Sequence, residues 1–312
     1  MSERQLTLRV VTAFAAIYLI WGSTYLAIRF AIETLPPLLM AGTRHLTAGV
    51  LLYLWARHRG AARPEGRHWK SAAAVGALLL LGGNGLVVWA ETRVPSGLTA
   101  LLVAMVPLWM VLLDWLWQGG RPAARTVFGL ACGFAGVVIL VGPRGFGGAS
   151  HVDPLGAAAL VVASLSWATG SLLSRRVALP ASPFLATAME MLAGGACLVV
   201  TGLALGEAGR VDLAAASARS WLALAYLVVL GSLVGFTAYV WLLRTVSASR
   251  ASTYAYVNPV VAVLLGWALA GEPLSARTLL AAAMILPAVA VLSTARPRPA
   301  PAAALTVAEK AA

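Results

Sequence analysis

Of 312 residues, 60% are hydrophobic and only 11% are charged, and Lys plus Arg outnumber Asp plus Glu by 23 to 11, a formal net charge of +12. Soluble domains carry roughly 25% charged residues and a single core stops growing at about 250 to 300 residues, so the apolar excess must face lipid. Composition thereby disfavours a soluble enzyme, a secreted disulfide scaffold and a disordered chain. Ten apolar segments follow one another, at about 9–30, 36–56, 71–90, 95–117, 125–142, 154–174, 184–204, 220–243, 251–270 and 277–294, each near the roughly 20 residues that cross a bilayer as a helix. The segments divide the chain into two blocks of five, 9–142 and 154–294, between a cytoplasmic tail at 1–8 and a Pro/Ala-rich disordered tail at 295–312. The first segment is too long for a signal-peptide core and lacks a small-residue cleavage site, so it is expected to remain on the protein.

Orientation is read from the loops, because cytoplasmic loops collect Lys and Arg. With the N-terminus inside, the cytoplasmic loops carry Arg57, Arg59, Arg63, Arg67, Lys70, Arg121, Arg125, Arg175, Arg176, Arg244 and Arg250, and the other side carries only Arg93, Arg144, Arg210, Arg219 and Arg277. Both termini are expected to be cytoplasmic. The positive excess is a membrane-topology signal, and nucleic acid is not an expected partner. Cys132 and Cys197 lie in apolar stretches without CxxC spacing, and His45, His58, His68 and His151 have no ligand-like spacing; no metal or other cofactor is expected. No Walker A motif appears, so the chain itself does not couple to ATP.

The two blocks resemble each other. One constant shift places Trp21 on Trp167, Arg29 on Arg175, Pro37 on Pro183 and Gly49 on Gly195; a slightly longer one places Gly83 on Gly235, Trp89 on Trp241, Pro107 on Pro259 and Trp115 on Trp267. Matches in Trp, Pro and Arg point to a duplication. Five segments per copy is an odd number, so the second copy enters the membrane from the opposite side, the inverted-repeat arrangement that suits alternating access. The fold class expected is therefore all-α integral membrane, ten transmembrane helices as two inverted-topology five-helix repeats.

The stretches WGSTYLAIRF (Trp21 to Phe30), PSGLTALLVAMVPLW (Pro95 to Trp109) and TYAYVNPVVAVLLGWALAGEPLS (Thr253 to Ser275) resemble the drug/metabolite transporter superfamily, in particular its ten-helix EamA-type exporters of the YedA-like branch. The resemblance implies an inner-membrane location and export of small metabolites or amphiphilic compounds. One departure is visible: Gly271-Glu272 corresponds to Gly119-Gly120 in the first copy, so any role of that acid belongs to the second copy alone.

Ionisable groups inside a membrane helix cost about 2.5 to 3.5 kcal/mol each and default to function. Arg44 and His45 in the second segment and Glu190 in the seventh stand out. Arg44 and Glu190 are equivalent in the repeat, each about 10 Å past the proline that opens its helix at about 1.5 Å per residue. Two readings stand: a fixed ion pair between the halves, or a gating or substrate role. Pro107 and Pro259 each remove a backbone donor, and paired interruptions point to a transporter's site; the alternative is a packing kink. Asn258, Tyr254 and Tyr256, with Ser23, Thr24 and Tyr25, would add hydrogen bonds and aromatic surface to a central cavity, ordinary helix packing being the alternative. Glu91 and Asp114, near helix ends, read as solvated, and the GxxxG pairs Gly129/Gly133 and Gly231/Gly235 read as close contacts within the bundle or between copies.

The expected function is a secondary transporter, not an enzyme, exporting amino-acid-like or amphiphilic and aromatic compounds across the cytoplasmic membrane by alternating access. A lipid scramblase and an intramembrane enzyme are the alternatives, and neither has a motif in its favour. The expected partners are a small-molecule substrate and the lipid bilayer, with monomer and homodimer both open.

Overall fold

The structure, a computed structural model, describes residues 3–118, 124–141, 153–246 and 254–293. The described residues fold into ten helical spans: α1 (Glu3–Ala31), α2 (Pro37–His58), α3 (Gly66–Gly76, Ala77–Gly85 and Leu86–Ala90 in succession), α4 (Ser96–Val103 and Val106–Gln118), α5 (Ala124–Val141), α6 (Pro154–Ser174), α7 (Pro183–Ala204), α8 (Ala218–Tyr226, Leu227–Val234 and Gly235–Thr245 in succession), α9 (Tyr254–Ala270) and α10 (Ala276–Ser293). Six of the spans are long and apolar enough to cross a membrane, and shorter apolar helices cover Thr126–Leu140, Tyr254–Ala270 and Ala276–Val291. Helix already begins at Glu3, inside the stretch expected to be a free tail. The expected tail at 295–312 lies outside the described residues, as do Gly119 and Gly120.

Side-chain contacts show how the spans run. The end of the bundle where α1 begins is called the near end and the other the far end. At the far end Arg29, late in α1, donates to the Glu91 carbonyl just past α3 (2.8 Å). Arg93 meets Asp153 at the start of α6 (3.8 Å), and Arg219 at the start of α8 meets Glu33 just past α1 (3.3 Å). Arg277, at the start of α10, donates to the Ile139 carbonyl late in α5. Spans α1, α3 and α5 thus finish where α6, α8 and α10 start.

Two carboxylates join the copies at this end in the same way. α2 opens on Pro36 and Pro37, which have no N–H, so its first amide donors are Leu38 and Leu39, and both go to the Glu207 carboxylate (3.2 and 2.9 Å). α4 opens after Pro95, and its first two donors, Ser96 and Gly97, both go to Glu272 (2.7 and 2.9 Å). Each acid follows a glycine in the left-handed region, Gly206 (φ 78°) and Gly271 (φ 65°), the conformation that ends helices at low cost only in glycine. The Glu272 amide returns to the Gly266 carbonyl (3.0 Å), which closes the turn and throws the side chain toward α4. A carboxylate at a helix N-terminus satisfies orphan donors and opposes the positive end of the helix dipole. Glu272→Ala and Glu207→Ala are each expected to cost about 1 to 2 kcal/mol, readable as a lower thermal midpoint in detergent; an unchanged midpoint in both would mean water replaces the caps without loss.

Contacts inside the bundle survive exchange of the two copies. α1 packs on α9 and α6 on α4, while α1 meets α8 and α6 meets α3. Trp21 lies over Gly235 just as its counterpart Trp167 lies over Gly83, each glycine leaving room that a Cβ would fill. The third span of each copy has a π-helical stretch, Ala77–Gly85 and Leu227–Val234. In each, a carbonyl takes a donor from the helix alongside: Trp21 Nε1 donates to Gly231 (3.1 Å) and Ser166 Oγ to Leu78 (2.8 Å). Gly231 and Gly235 therefore serve contacts within the chain, and Gly133 does so against Leu108.

The buried apolar side chains are unevenly placed. One cluster joins α3, α4, α5, α6 and α10 around Leu98, Leu101, Met105 and Leu160; a second joins α1, α2, α3, α7 and α8 around Ala31, Met40, Leu198 and Leu227. Both gather mainly residues from the far halves of their helices. Among the described residues the near half has the small cluster of Ala56, Ala72, Leu185 and Met189.

Candidate functional site

The expected site residues fall into two groups. At mid-bundle Trp21 of α1 packs its ring against Phe236 and Tyr239 of α8 and Tyr254 of α9, with centroids 5.5, 5.2 and 5.1 Å away, and Tyr239 and Tyr254 meet at 5.6 Å. These rings are partly exposed and form an aromatic wall between three helices. Of its members only Tyr254 was singled out from sequence. Trp21 is visible there as one of the matched tryptophans, whereas Tyr239 and Phe236 carry no local signal and are brought in by the crossing of α1 and α8.

Deeper toward the far end lies a polar layer. Arg44 is buried and its Nε donates to Ser232 in the π-helical stretch of α8 (3.1 Å). The next residue, His45, is buried and pairs through Nε2 with Asn84 in the π-helical stretch of α3 (3.1 Å). Adjacent residues of α2 thus hold the two π-helical stretches, one in each copy. Ser23 bonds the Tyr226 hydroxyl (2.6 Å) and Thr24 the Trp21 carbonyl (2.6 Å). Tyr25 and Tyr256 pack against the cluster around Leu101. Asn258 is buried with its Oδ1 lacking a hydrogen-bond partner among the described residues, and its carbonyl lies against Gly22 of α1.

Arg44 and Glu190 do not pair. The ion pairs among the described residues are Arg67–Glu65, Arg93–Asp153 and Arg219–Glu33, and the Glu190 carboxyl makes no hydrogen bond or ion pair among them. The reason is the face each helix uses. α2 and α7 meet through Gly42, Gly49 and Gly195, which bring their backbones together. That interface turns Arg44 toward α8, while Glu190 sits where α7 touches α3, its carbonyl against Gly76. Glu190 keeps a partly exposed side chain.

The two prolines also differ. α4 breaks between Val103 and Val106, just before Pro107, whereas Pro259 lies inside the continuous helix Tyr254–Ala270. Pro107 falls mid-span, so the carbonyl it frees is Val103's, at the break; Pro259 lies in the second turn of the described helix, where few backbone bonds precede it. The matched prolines therefore mark one interruption.

Glu91 was read from sequence as a solvated acid near a helix end. It is fully buried, and neither carboxyl oxygen has a hydrogen-bond partner among the described residues. No local signal distinguishes it, because Arg29 and Glu272 reach it only in the fold. Beyond the caps the loops leave a surface cleft of about 400 Å³ lined by Arg29, Glu33, Thr92 and Arg210, among others.

A bundle of apolar spans with a buried polar layer above an aromatic wall has the build of a multi-pass membrane transporter. The chain belongs to the EamA-like transporter family, whose profile matches residues 8–142 and again 154–294. It is 42% identical over 294 residues to the inner membrane transporter YedA of Escherichia coli (strain K12), covering 94% of this chain and 93% of that one. It is 27% identical to the transporter YvbV of Bacillus subtilis (strain 168), covering 97% of each, and 26% identical to protein PecM of Dickeya dadantii (strain 3937), covering 88% of each. A solved crystal structure with 22% identity shares the fold at a TM-score of 0.62, covering 92% of this chain and 97% of that one. The protein is thus a transporter and not an enzyme.

Proposed function

We propose that the protein is a secondary exporter of small organic solutes, amino-acid-like or amphiphilic and aromatic, working by alternating access between the halves 9–142 and 154–294, which are related by inversion. The observation that carries this reading is the uneven closure of the bundle. Two large apolar clusters and the Glu207 and Glu272 caps seal the far half, while Trp21, Tyr239, Tyr254 and Glu190 stay partly exposed nearer the other end. The charge bias of the loops supports a cytoplasmic near end and hence an inward-facing reading of this conformation, and the inner-membrane relative YedA supports the same membrane. The site residues proposed are Arg44, Glu190, Asn258, Tyr254, Tyr256, Ser23, Thr24 and Tyr25, with Pro107 at the break in α4 and Pro259 inside a continuous helix. Exchange symmetry of the helix contacts supports a second state, in which the equivalent set of contacts would close the near end.

Reconstitution in liposomes and a screen of amino acids, sugars and aromatic amphiphiles, with and without a proton gradient, tests the reading. Saturable flux of one class is expected; phospholipid flipping with no solute flux would replace the exporter by a scramblase. Asn258→Ala is expected to lower flux about tenfold, the loss of about 1.4 kcal/mol that one buried hydrogen bond to solute can supply, with membrane protein level unchanged. Flux and protein level falling together would return Asn258 to helix packing.

A further inference from the structure

Among the described residues, the caps and the aromatic wall leave one buried acid without a role. Glu91 follows Ala90, where the third span ends, and closes α3 through its backbone, its N–H on the Val87 carbonyl and its own carbonyl accepting from Arg29. Its carboxyl is fully buried, with both oxygens unpartnered among the described residues. Two hydroxyls close by in sequence, Ser96 Oγ and Thr99 Oγ1, are also buried and unpartnered. The backbone amides of Ser96 and Gly97 are occupied by Glu272, so they offer Glu91 nothing.

A charged carboxylate in that setting has lost its water and gained no donor, the costly case; the neutral acid loses far less. The groups that face it come from every side. α1 brings Tyr25 and Arg29, α2 brings Arg44, and the α9–α10 turn brings Glu272. Asp153, at the start of α6, is engaged elsewhere, with the Gly156 amide and Arg93. Burial raises Glu91 well above the usual carboxylate range, the Glu272 carboxylate raises it further, and Arg29 and Arg44 oppose. The two arginines also disfavour a metal cation there, which leaves the proton as the ion that suits the site.

We infer that Glu91 is a proton-binding site at which closure of the far end requires uptake of one proton. The inference rests on the alternating-access reading, since only opening of the far end brings water to the carboxyl. Open, Glu91 is hydrated and ionises as an ordinary carboxylate; closed, it is dry and holds its proton. The closed state then carries one proton more than the open one, so acid favours the inward-facing form and rising pH favours opening. Linkage sets the steepest response at about tenfold in the closed-to-open ratio per pH unit. Proton supply on the outer side would thereby reset the exporter toward the cytoplasm after each release.

The test is hydrogen exchange by mass spectrometry on the full chain in lipid nanodiscs between pH 5 and 9, with intrinsic exchange divided out. It reads the amides at the start of α4, whose first two donors are held by Glu272 when the far end is closed. Protection there is expected to fall as pH rises in the wild type, to stay high and flat in Glu91→Gln, which keeps the shape of the neutral acid, and to fall at a shifted pH in Glu91→Asp. A wild-type protection that varies with neither pH nor added solute overturns this inference together with alternating access. Opening that occurs with no pH dependence overturns the proton alone. A pH response that persists in Glu91→Gln and vanishes in Glu272→Gln also overturns it, by moving the proton to the cap.

Discussion

Gly194→Ala is expected to leave little folded transporter. At the crossing of α3 and α7 the backbones touch: a Cβ on Gly194 would stand 2.6 Å from the Gly76 carbonyl oxygen and 2.7 Å from Leu80, and one on Gly76 would stand 2.5 Å from the Glu190 carbonyl oxygen. The obstacle is main chain in both directions, so no rotamer change makes room and the helices must part. Overpacking that forces backbone shifts costs about 1 to 3 kcal/mol, occasionally more, and contact with main chain on both sides puts this crossing at the upper end. Separation would also disturb the α2–α7 contact next to it, which itself uses Gly42, Gly49 and Gly195. The measurement is the thermal midpoint in detergent of Gly194→Ala and Gly76→Ala beside Gly66→Ala, a glycine with nothing within 4 Å of the added carbon. The first two are expected to melt well below the wild type and the third with it. Equal midpoints for all three would show that the crossing is looser than the structure has it.

Glu190→Gln is expected to lower transport by about tenfold or more, at least about 1.4 kcal/mol of lost interaction, with the folded protein retained. Among the described residues the carboxyl makes no hydrogen bond or ion pair that the amide would break, and it is partly exposed on the proposed pathway. An ionisable group held in a membrane helix without an ion-pair partner among the described residues defaults to a functional role, because its insertion is costly. Had Glu190 been locked to Arg44, its loss would instead have stranded a buried guanidinium and lowered stability. The two cases separate in one experiment, flux and thermal midpoint on the same preparation. Full flux removes Glu190 from the mechanism, and a fall in both quantities makes it a structural group.

The repeat was readable because it is written in residues that chance rarely matches. Trp21 and Trp167, paired by sequence shift, occupy matching places over Gly235 and Gly83. The ends of the spans were readable too, since Pro37, Pro154 and Pro183 open helices at their first position, where a missing N–H costs nothing. Less was legible at the site. Equivalence in the repeat placed Arg44 and Glu190 at mirrored depths but says nothing about helix rotation, and rotation decided that they face different neighbours. The Gly-Glu pairs at Gly206-Glu207 and Gly271-Glu272 are plain in the sequence; that both caps fall on helices of the other copy is not.

Composition and periodicity alone determined that this chain lives in a bilayer, crosses it ten times and does so as one pattern used twice. Those properties depend on totals and spacings that need no partner: apolar length against membrane thickness, and charge against loop. Only the tertiary structure decided which polar groups are satisfied, because that depends on donors brought from distant spans. Glu207 and Glu272 found helix amides, Arg44 found Ser232, and the carboxyl of Glu91, one residue past an ordinary helix end, was enclosed without a partner among the described residues.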